Sequence, residues 1–369
     1  MTPASSPTHL PAATAAAPAP DQQWPTVSVV IPVLNEERHL AAAVGMVLEQ
    51  DYPGPVEVIL AVGPSRDRTQ EVADALAAVD PRVTCVANPS GRTPDALNAA
   101  IARSTSEVIV RVDGHAEIAA GYIRTAVTEM RRIGADNVGG IMDARGTTDF
   151  ERAVACAMRS PVGVGNARFH VGGRAGDADT VYLGVFRRDT LNRVGGYDPH
   201  FTRAQDWELN HRIRAAGGRV WFTPQLRVTY RPRGSVRGLA SQYLHYGRWR
   251  RVVAERHEGT INARYLAPPV MVVGTTLAGL AGLQWRPAWV VPLGYLAGVV
   301  AGGVVASRGE PARVRALMPL VLTTMHWSWG VGFLASPAGL RLTSSTGRST
   351  EAAGAADGPG SADQPRGCR

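Results

Sequence analysis

Between residues 27 and 113 the chain alternates short apolar runs with segments whose apolar positions recur at helical spacing. Residues 27–34, 56–62, 83–87 and the run ending at Asp113 read as strands. Residues 35 to about 50, 67 or 69 to 79, and 94–102 read as helices. Asn35, followed by Glu36 and Glu37, is the expected N-cap of the first helix. Val108, Ile109, Val110 and Val112 are apolar at successive positions and β-branched, which suits a strand covered on both faces. The alternation predicts an α/β fold: a mostly parallel sheet with helices on both faces. Such sheets bind ligands beyond the carboxyl ends of their strands.

Past Ala116 the pattern is weaker. It predicts a helix at 122–133, a turn at Gly139-Gly140, a helix at 150–158 and a glycine-rich loop at 161–179. A strand at 181–187 follows, then a helical turn at 189–194, a turn at 195–198 and a helix from Gln205 to about Ala216. Leu239, Tyr243, Tyr246, Trp249 and Val253 share one helical face, with Arg237, Arg248, Arg250 and Arg251 around it. That helix suits a membrane–water boundary, or equally the surface of the preceding domain. Three apolar stretches, 266–283, 288–306 and 317–335, approach bilayer-crossing length without an acid or arginine. Gly294, Gly298 and Gly302 recur every four residues, a small-residue face suited to close helix packing in lipid.

The predicted organisation is therefore a disordered leader at 1–24, a catalytic domain at 25–234 and an amphipathic interfacial helix at 235–264. Three transmembrane helices at 265–336 and a disordered tail at 337–369 complete it. Arg308, Arg313 and Arg315 lie between the second and third stretches, and only Arg286 lies between the first two. The positive-inside rule then puts the large domain in the cytoplasm of a multi-pass membrane protein.

Charge and composition narrow the chemistry. The 369 residues carry a formal charge of +8, and every basic residue is arginine, which excludes a lysine base or Schiff base. Basic residues beside apolar stretches point to an anionic membrane surface, and no nucleic-acid partner is expected. Cys85, Cys156 and Cys368 are too far apart for a zinc spacing or a disulfide framework, which is consistent with a reducing compartment. The candidate chemistry sits where the fourth strand ends. Asp113 and His115 are two apart, so an extended backbone points both the same way. Gly114 between them leaves room for a diphosphate. An oxygen and a nitrogen donor at this spacing could hold Mg2+ or Mn2+ with positions open for phosphate, although a polar strand-end turn has the same residues.

Several landmarks recur in a telling order: Val29-Val-Ile-Pro-Val-Leu-Asn-Glu36, Asn88-Pro-Ser-Gly-Arg92 with Leu97-Asn98, Arg111-Val-Asp-Gly-His115, Phe186-Arg-Arg188, Gly195-Gly-Tyr-Asp198, Gln205-Asp-Trp-Glu-Leu-Asn210 and Tyr246-Gly-Arg-Trp249. Set ahead of membrane stretches, they resemble the inverting family-two glycosyltransferases, and among these the membrane-attached transferases of succinoglycan-type exopolysaccharide synthesis. The resemblance implies a GT-A-like, Rossmann-like domain that transfers one sugar from a nucleotide diphosphate donor, a UDP-sugar such as UDP-glucose. The implied acceptor is a glycan on polyprenyl diphosphate.

It also implies roles. Asp113 binds the metal, with His115 as second ligand or phosphate contact, and Asp206 is the base that activates the acceptor hydroxyl. Glu208 is the competing base, and Asp206 could instead serve only to cap its helix. Glu36 is the nucleoside contact. Arg92 and Arg188 are candidate phosphate contacts because guanidinium presents a planar fork of donors. Arg248 and Trp249 occupy the place of a Gln-x-x-Arg-Trp motif of processive relatives; His245 replaces the Gln, which argues against a polymerase. Two departures matter: Gln205 stands where the family usually has an acid, and residues 61–65 lack the base-reading acids, for which Asp67 is the expected substitute. They keep open a degenerate nucleotide-sugar-binding protein that recruits partners at the membrane. A nucleotidyltransferase is disfavoured, because residues 32–36 do not resemble a glycine-rich phosphate loop.

Overall fold

The computed structural model describes residues 23–342. The expected leader up to residue 22 and the expected tail from 343 lie outside the described residues. The strands β1 (Val27–Val33), β2 (Val56–Val62), β3 (Val83–Ala87) and β4 (Val108–Arg111) alternate with helices α1 (Leu40–Leu48), α2 (Thr69–Val79) and α3 (Thr93–Arg103). Then come β5 (Glu117–Ile118), α4 (Tyr122–Ile133), β6 (Asn137–Ala144), α5 (Asp149–Met158) and two single-turn helices, α6 (Pro161–Val164) and α7 (Arg168–Val171). They are followed by β7 (Gly176–Asp177), β8 (Tyr182–Arg187), α8 (Arg188–Val194), α9 (Gln205–Ala215) and β9 (Val220–Tyr230). The remainder is helical: α10 (Val236–Arg256), α11 (Ala263–Gly282), a 3-10 turn (Arg286–Trp289), α12 (Val290–Ala306), α13 (Ala312–Leu334) and α14 (Ala338–Leu342). The last of these forms within the expected disordered tail.

The sheet runs β3-β2-β1-β4-β8-β6-β9-β5, with β7 beside β9. Its first four strands are parallel, but β8 runs against both β4 and β6, so the sheet is mixed and not mostly parallel. β6 and β9 pair in parallel. Because β8 is reversed on both sides, β6 and β9 point the same way as β4. The ends of β1, β2, β4, β6 and β9 therefore gather at one edge, where a ligand of an open sheet is expected.

Residue alternation explains the layers. Val29, Ile31 and Val110 pack with Val44 and Val127 on one face, while Val30, Ile59 and Ile109 pack with Leu97 and Leu209 on the other. A third core joins α5, α10, α12 and α13 through Val154, Leu239, Val299, Met318 and Leu322. It anchors the helical region to the sheet domain. The face of α10 that suits a membrane boundary by pattern is used here: Leu239, Tyr243, Trp249 and Val253 are buried within the protein.

Three local expectations change. Asn35 does not cap α1, which starts at Leu40; it adopts φ 57°, donates its N–H to Ser65 Oγ (3.0 Å) and accepts from Arg66 N (2.8 Å). Gly139-Gly140 is not a turn but the bulged middle of β6. A Cβ on Gly140 would lie 2.0 Å from the Leu226 carbonyl oxygen, so the glycine permits the approach of β9. The eleven-residue β9 was missed because Pro224 interrupts its alternation; the sheet accommodates it at the same irregularity.

Of the three apolar stretches, two, Ala263–Gly282 and Arg286–Ala306, form helices long and apolar enough to cross a membrane. The third forms α13, whose Val314, Met318, Val321, Leu322 and Met325 are buried against neighbouring helices. Gly294 and Gly298 meet no neighbour, and only Gly302 of that set is packed, against Val162. The close helix contact lies elsewhere. A Cβ on Gly247 of α10 would fall 2.0 Å from the Trp329 carbonyl oxygen, and one on Gly332 of α13 would fall 2.1 Å from that of Leu244. These reciprocal glycines set the α10–α13 crossing. Gly247→Ala is expected to cost about 2–3 kcal/mol of stability, read as a lowered melting temperature of the detergent-purified chain. Gly294→Ala, entering open space, should stay within about 0.5 kcal/mol; equal melting of the two variants would refute the reciprocal contact.

Candidate active site

Arg111 is the last residue of β4 and only 4% exposed. A buried guanidinium is tolerable only when paired. Its Nη2 and Nε donate to Asp113 Oδ1 at 2.9 and 3.2 Å, and its Nη1 forms an ion pair with Asp206 at the start of α9. Two carboxylates separated by 93 positions in the chain thus meet on one cation. All three side chains line a cavity of about 1200 Å3 at the sheet edge, together with Glu36, Asn88 and His115. The cavity continues past Tyr182 and Trp207 to the helical region, where Tyr265, Pro268 and Trp329 contribute to its wall.

The position of α9 is over-determined. Asn210 Oδ1 accepts from Asn137 Nδ2 of β6 (2.6 Å), and its Nδ2 donates to Thr180 Oγ1 (2.9 Å). Glu208, 1% exposed, accepts from Arg212 Nε and Nη2 (both 2.7 Å) and lies 3.1 Å from His257 Nε2. Burial alone would raise the Glu208 pKa, but the hydrogen bonds from His257 and Arg212 outweigh it and hold the carboxylate below its usual range. Glu208 is fully committed to structure and does not line the cavity, which removes it as a base.

Asp206 differs. Burial raises its pKa, Arg111 pulls it back down, and the charge on Asp113 raises it further, so it stands above the ordinary carboxylate value. A helix start favours an ionised carboxylate, but burial outweighs that here. A base with a raised pKa is better matched to taking a proton near neutrality.

Asp113 and His115 do not lie on one extended segment, because the chain turns at Gly114-His115. Asp113 faces Arg111, while His115 Nδ1 lies 2.7 Å from Glu36 Oε1. The Glu36 hydrogen bond raises the His115 pKa against its partial burial. Gly114 makes room for Glu36, whose Cγ would lie 3.1 Å from an added Cβ. Among the described residues no three His, Cys, Asp or Glu side chains converge on a common ion position. Asp113 and His115 both line the cavity, and a Mg2+ or Mn2+ ion taking these two donors would need substrate phosphate and water to complete its shell.

The other predicted contacts divide between the cavity and the rest of the fold. Arg188 sits at the amino end of β4, the far edge of the sheet, because β8 is antiparallel. Its guanidinium binds the Ser106 carbonyl, the Ser104 hydroxyl and Ile101 O (3.3 Å), so it ties the fold together and does not line the cavity. Asp67 accepts from Thr69 N (3.1 Å), Thr69 Oγ1 (2.5 Å) and Glu37 N (3.3 Å), which pins the loop carrying Glu36. Arg92 pairs with Asp95 (2.8 Å) and donates to Pro199 O (3.3 Å) beside the cavity-lining Gly91 and Thr93. Arg248 does not line the cavity, whereas Trp249 does, 6.2 Å from the Phe201 ring. Gln205, the departure from the family's acid, lines the cavity. Asn98 exchanges hydrogen bonds with Tyr197 (2.7 and 2.9 Å), which joins two distant landmarks. Arg111 was missed as a functional residue; its signal was a charge inside an otherwise apolar strand.

Comparison with known proteins gives a family model, Glycosyl transferase family 2, matching residues 28–194. The succinoglycan biosynthesis protein ExoA of Rhizobium meliloti is 32% identical over 308 residues, spanning 83% of this chain and 93% of that protein. A dolichyl N-acetyl-alpha-D-glucosaminyl phosphate 3-beta-D-2,3-diacetamido-2,3-dideoxy-beta-D-glucuronosyltransferase of Methanococcus voltae is 22% identical over 251 residues, 66% of this chain and 77% of that one. The mannosyltransferase PcManGT of Pyrobaculum calidifontis, solved with GDP-Man and Mn2+, superposes with a TM-score of 0.53 over 90% of each chain at 21% identity. That likeness supports the GT-A-like fold.

The Glu208 cluster has a pH signature. Its carboxylate is depressed in the folded state, so its contribution is present above the unfolded carboxylate pKa of about 4.3 and is lost as pH falls through the lower folded value. Glu208→Gln is expected to lower stability by about 3 kcal/mol at neutral pH, with the difference in melting temperature shrinking below about pH 4. A pH-independent difference would contradict the assignment.

Proposed function

The chain belongs to glycosyl transferase family 2, and on that premise we propose that it is a membrane-bound, inverting, metal-dependent transferase. It moves one sugar from a nucleotide diphosphate donor, UDP-glucose in the reading preferred here, to a glycan carried on polyprenyl diphosphate. The observation that carries this reading is the meeting of Asp113 and Asp206 on buried Arg111 at the wall of one cavity. Relatives named for succinoglycan biosynthesis and for transfer to a dolichyl-linked sugar support the acceptor class. The helices α11 and α12 enter the cell membrane with α13 packed behind them. The arginines at 308–315 lie on the cytoplasmic side with the catalytic domain.

In this reading Asp206 takes the proton of the acceptor hydroxyl as that oxygen attacks the anomeric carbon. Arg111 holds Asp206 and Asp113 at a fixed separation, so neither needs to reorganise as charge moves. Glu36, held by His115 and Thr69, faces the nucleoside; its N–H donates to Thr69 Oγ1 at 2.7 Å. Asp113 and His115 would hold a divalent cation, which when bound would neutralise the charge of the leaving diphosphate. Trp249 lies on the acceptor side of the cavity wall.

Purified protein with labelled nucleotide sugars and a polyprenyl diphosphate-sugar acceptor should give transfer that stops on chelation and in Asp113→Ala. Asp206→Asn should retain donor binding while turnover drops roughly 10²–10⁴-fold. Full turnover in that variant would reassign the base, and donor binding without transfer to any lipid acceptor would favour the degenerate binding protein.

A second prediction concerns pH. Asp206 must be ionised to act, so kcat/KM should be full above its raised pKa and fall as pH drops through it. Arg111→Gln removes the influence that lowers this pKa and should move the acid limb to higher pH; an unmoved limb would separate Asp206 from Arg111 in function.

A further inference from the structure

Beside the base, the cavity holds a second cationic group that the proposed chemistry does not use. Arg250 of α10 is 6% exposed. Its guanidinium carbon lies 4.1 Å from the Trp207 ring centroid and 3.8 Å from that of Tyr265, so it is sandwiched between two aromatic rings. One donor nitrogen, Nη2, reaches the Thr260 carbonyl; Nε and Nη1 are buried with no partner. Burial is the main influence on its pKa, pushing it down to about 10, and the nearby Arg264 acts in the same direction, while Tyr265 and Asp179 act against both. Arg250 remains a cation at neutral pH. Arg264 stacks on the same Tyr265 ring at 4.6 Å and donates to its hydroxyl. Among the described residues neither arginine forms an ion pair; Asp179 instead pairs with Arg214 at 3.8 Å. Two guanidiniums share one ring on side chains that line the cavity, and an anion bound there would neutralise them.

The surroundings identify which anion. Beyond Arg264 the wall turns apolar: Val162 of α6, Pro268 and Met271 of α11, Tyr295 of α12 and Met325 of α13. Two of these four helices, α11 and α12, enter the bilayer in the proposed reading, and α13 packs behind them. Of the donor-side groups, Asp113 instead pairs with Arg111, and Glu36 pairs with His115. Asp206 turns its carboxylate to Arg111, while the next residue, Trp207, turns its ring to Arg250. We propose that Arg250 and Arg264 form the binding site for the phosphate head group of the lipid-carried acceptor, with the lipid tail lying along the apolar wall of Pro268, Met271, Tyr295 and Met325. This assignment rests on the transferase reading and adds to it the residues that recognise the acceptor. The head group then lies one residue from the base, and the acceptor sugar is presented to Asp206 by its own anchor.

The test uses the full chain in detergent and isothermal titration with farnesyl diphosphate, farnesol, inorganic diphosphate and UDP. Arg250→Gln should weaken farnesyl diphosphate binding about ten- to hundredfold, the loss expected for one or two charge-assisted hydrogen bonds. UDP and farnesol binding should not change. Arg264→Gln should act in the same direction, and it carries the comparison if Arg250→Gln melts far below the parent protein. In turnover assays the acceptor KM should rise while the donor KM and kcat hold. Equal farnesyl diphosphate affinity in the parent and both variants would overturn the proposal while leaving the transferase intact, provided UDP still binds. Inorganic diphosphate binding as tightly as farnesyl diphosphate would replace the lipid with a free diphosphate ligand and also overturn it. Loss of UDP binding in the parent protein would instead strike the transferase reading itself.

Discussion

The structure depends on burying one guanidinium. Arg111 ends a strand whose other residues are apolar and covered on both faces, so its charge has no water to turn to. An unpaired cation there would cost several kcal/mol. The chain resolves this by bringing Asp113, two residues on, and Asp206, from a helix far along the sequence, to the same group. The cluster of one cation and two carboxylates carries one surplus negative charge. That surplus is what a proton or a metal ion at the cavity would balance. Stability and chemistry therefore rest on the same contact, and α9 is held by separate bonds through Asn210 and Glu208 so that Asp206 arrives in place.

The helical region is part of the site as well as a candidate anchor. Reciprocal glycines bring α10 against α13, and this crossing aligns Trp249 and Arg250 with the cavity that opens at the sheet edge. His326 of α13 ties the α6 segment to that region through the Val162 carbonyl (2.8 Å) and Tyr295 (3.2 Å). One continuous space thus runs from groups suited to a water-soluble nucleotide to groups suited to a lipid. That continuity is the geometric condition for a transfer between two such substrates.

The first half of the sheet was legible because its strands are short apolar runs and its helices carry helical spacing, both local signals. β2, α2 and β3 fall where the pattern puts them. The reversed β8 and the interrupted β9 were not legible, since strand direction is set by long-range pairing and Pro224 masks the alternation. In the site, Asp113, Asp206, Glu36 and His115 could be picked out by residue type and landmark. Arg111 showed only as a charge inside an apolar strand, because its role comes from a partner 95 positions away. Arg188 misled for the opposite reason: a guanidinium suits phosphate by chemistry, but an antiparallel strand carries it to the wrong edge.

The account stands or falls on Asp113 and Asp206 acting as one unit through Arg111. A kinetic cycle tests this most directly: kcat/KM for sugar transfer in Asp113→Asn, in Asp206→Asn and in the double variant. Groups that act together lose their effect together, so the double variant should be about as slow as the slower single variant. Losses that multiply would mean that the two carboxylates work independently, and would contradict the shared site.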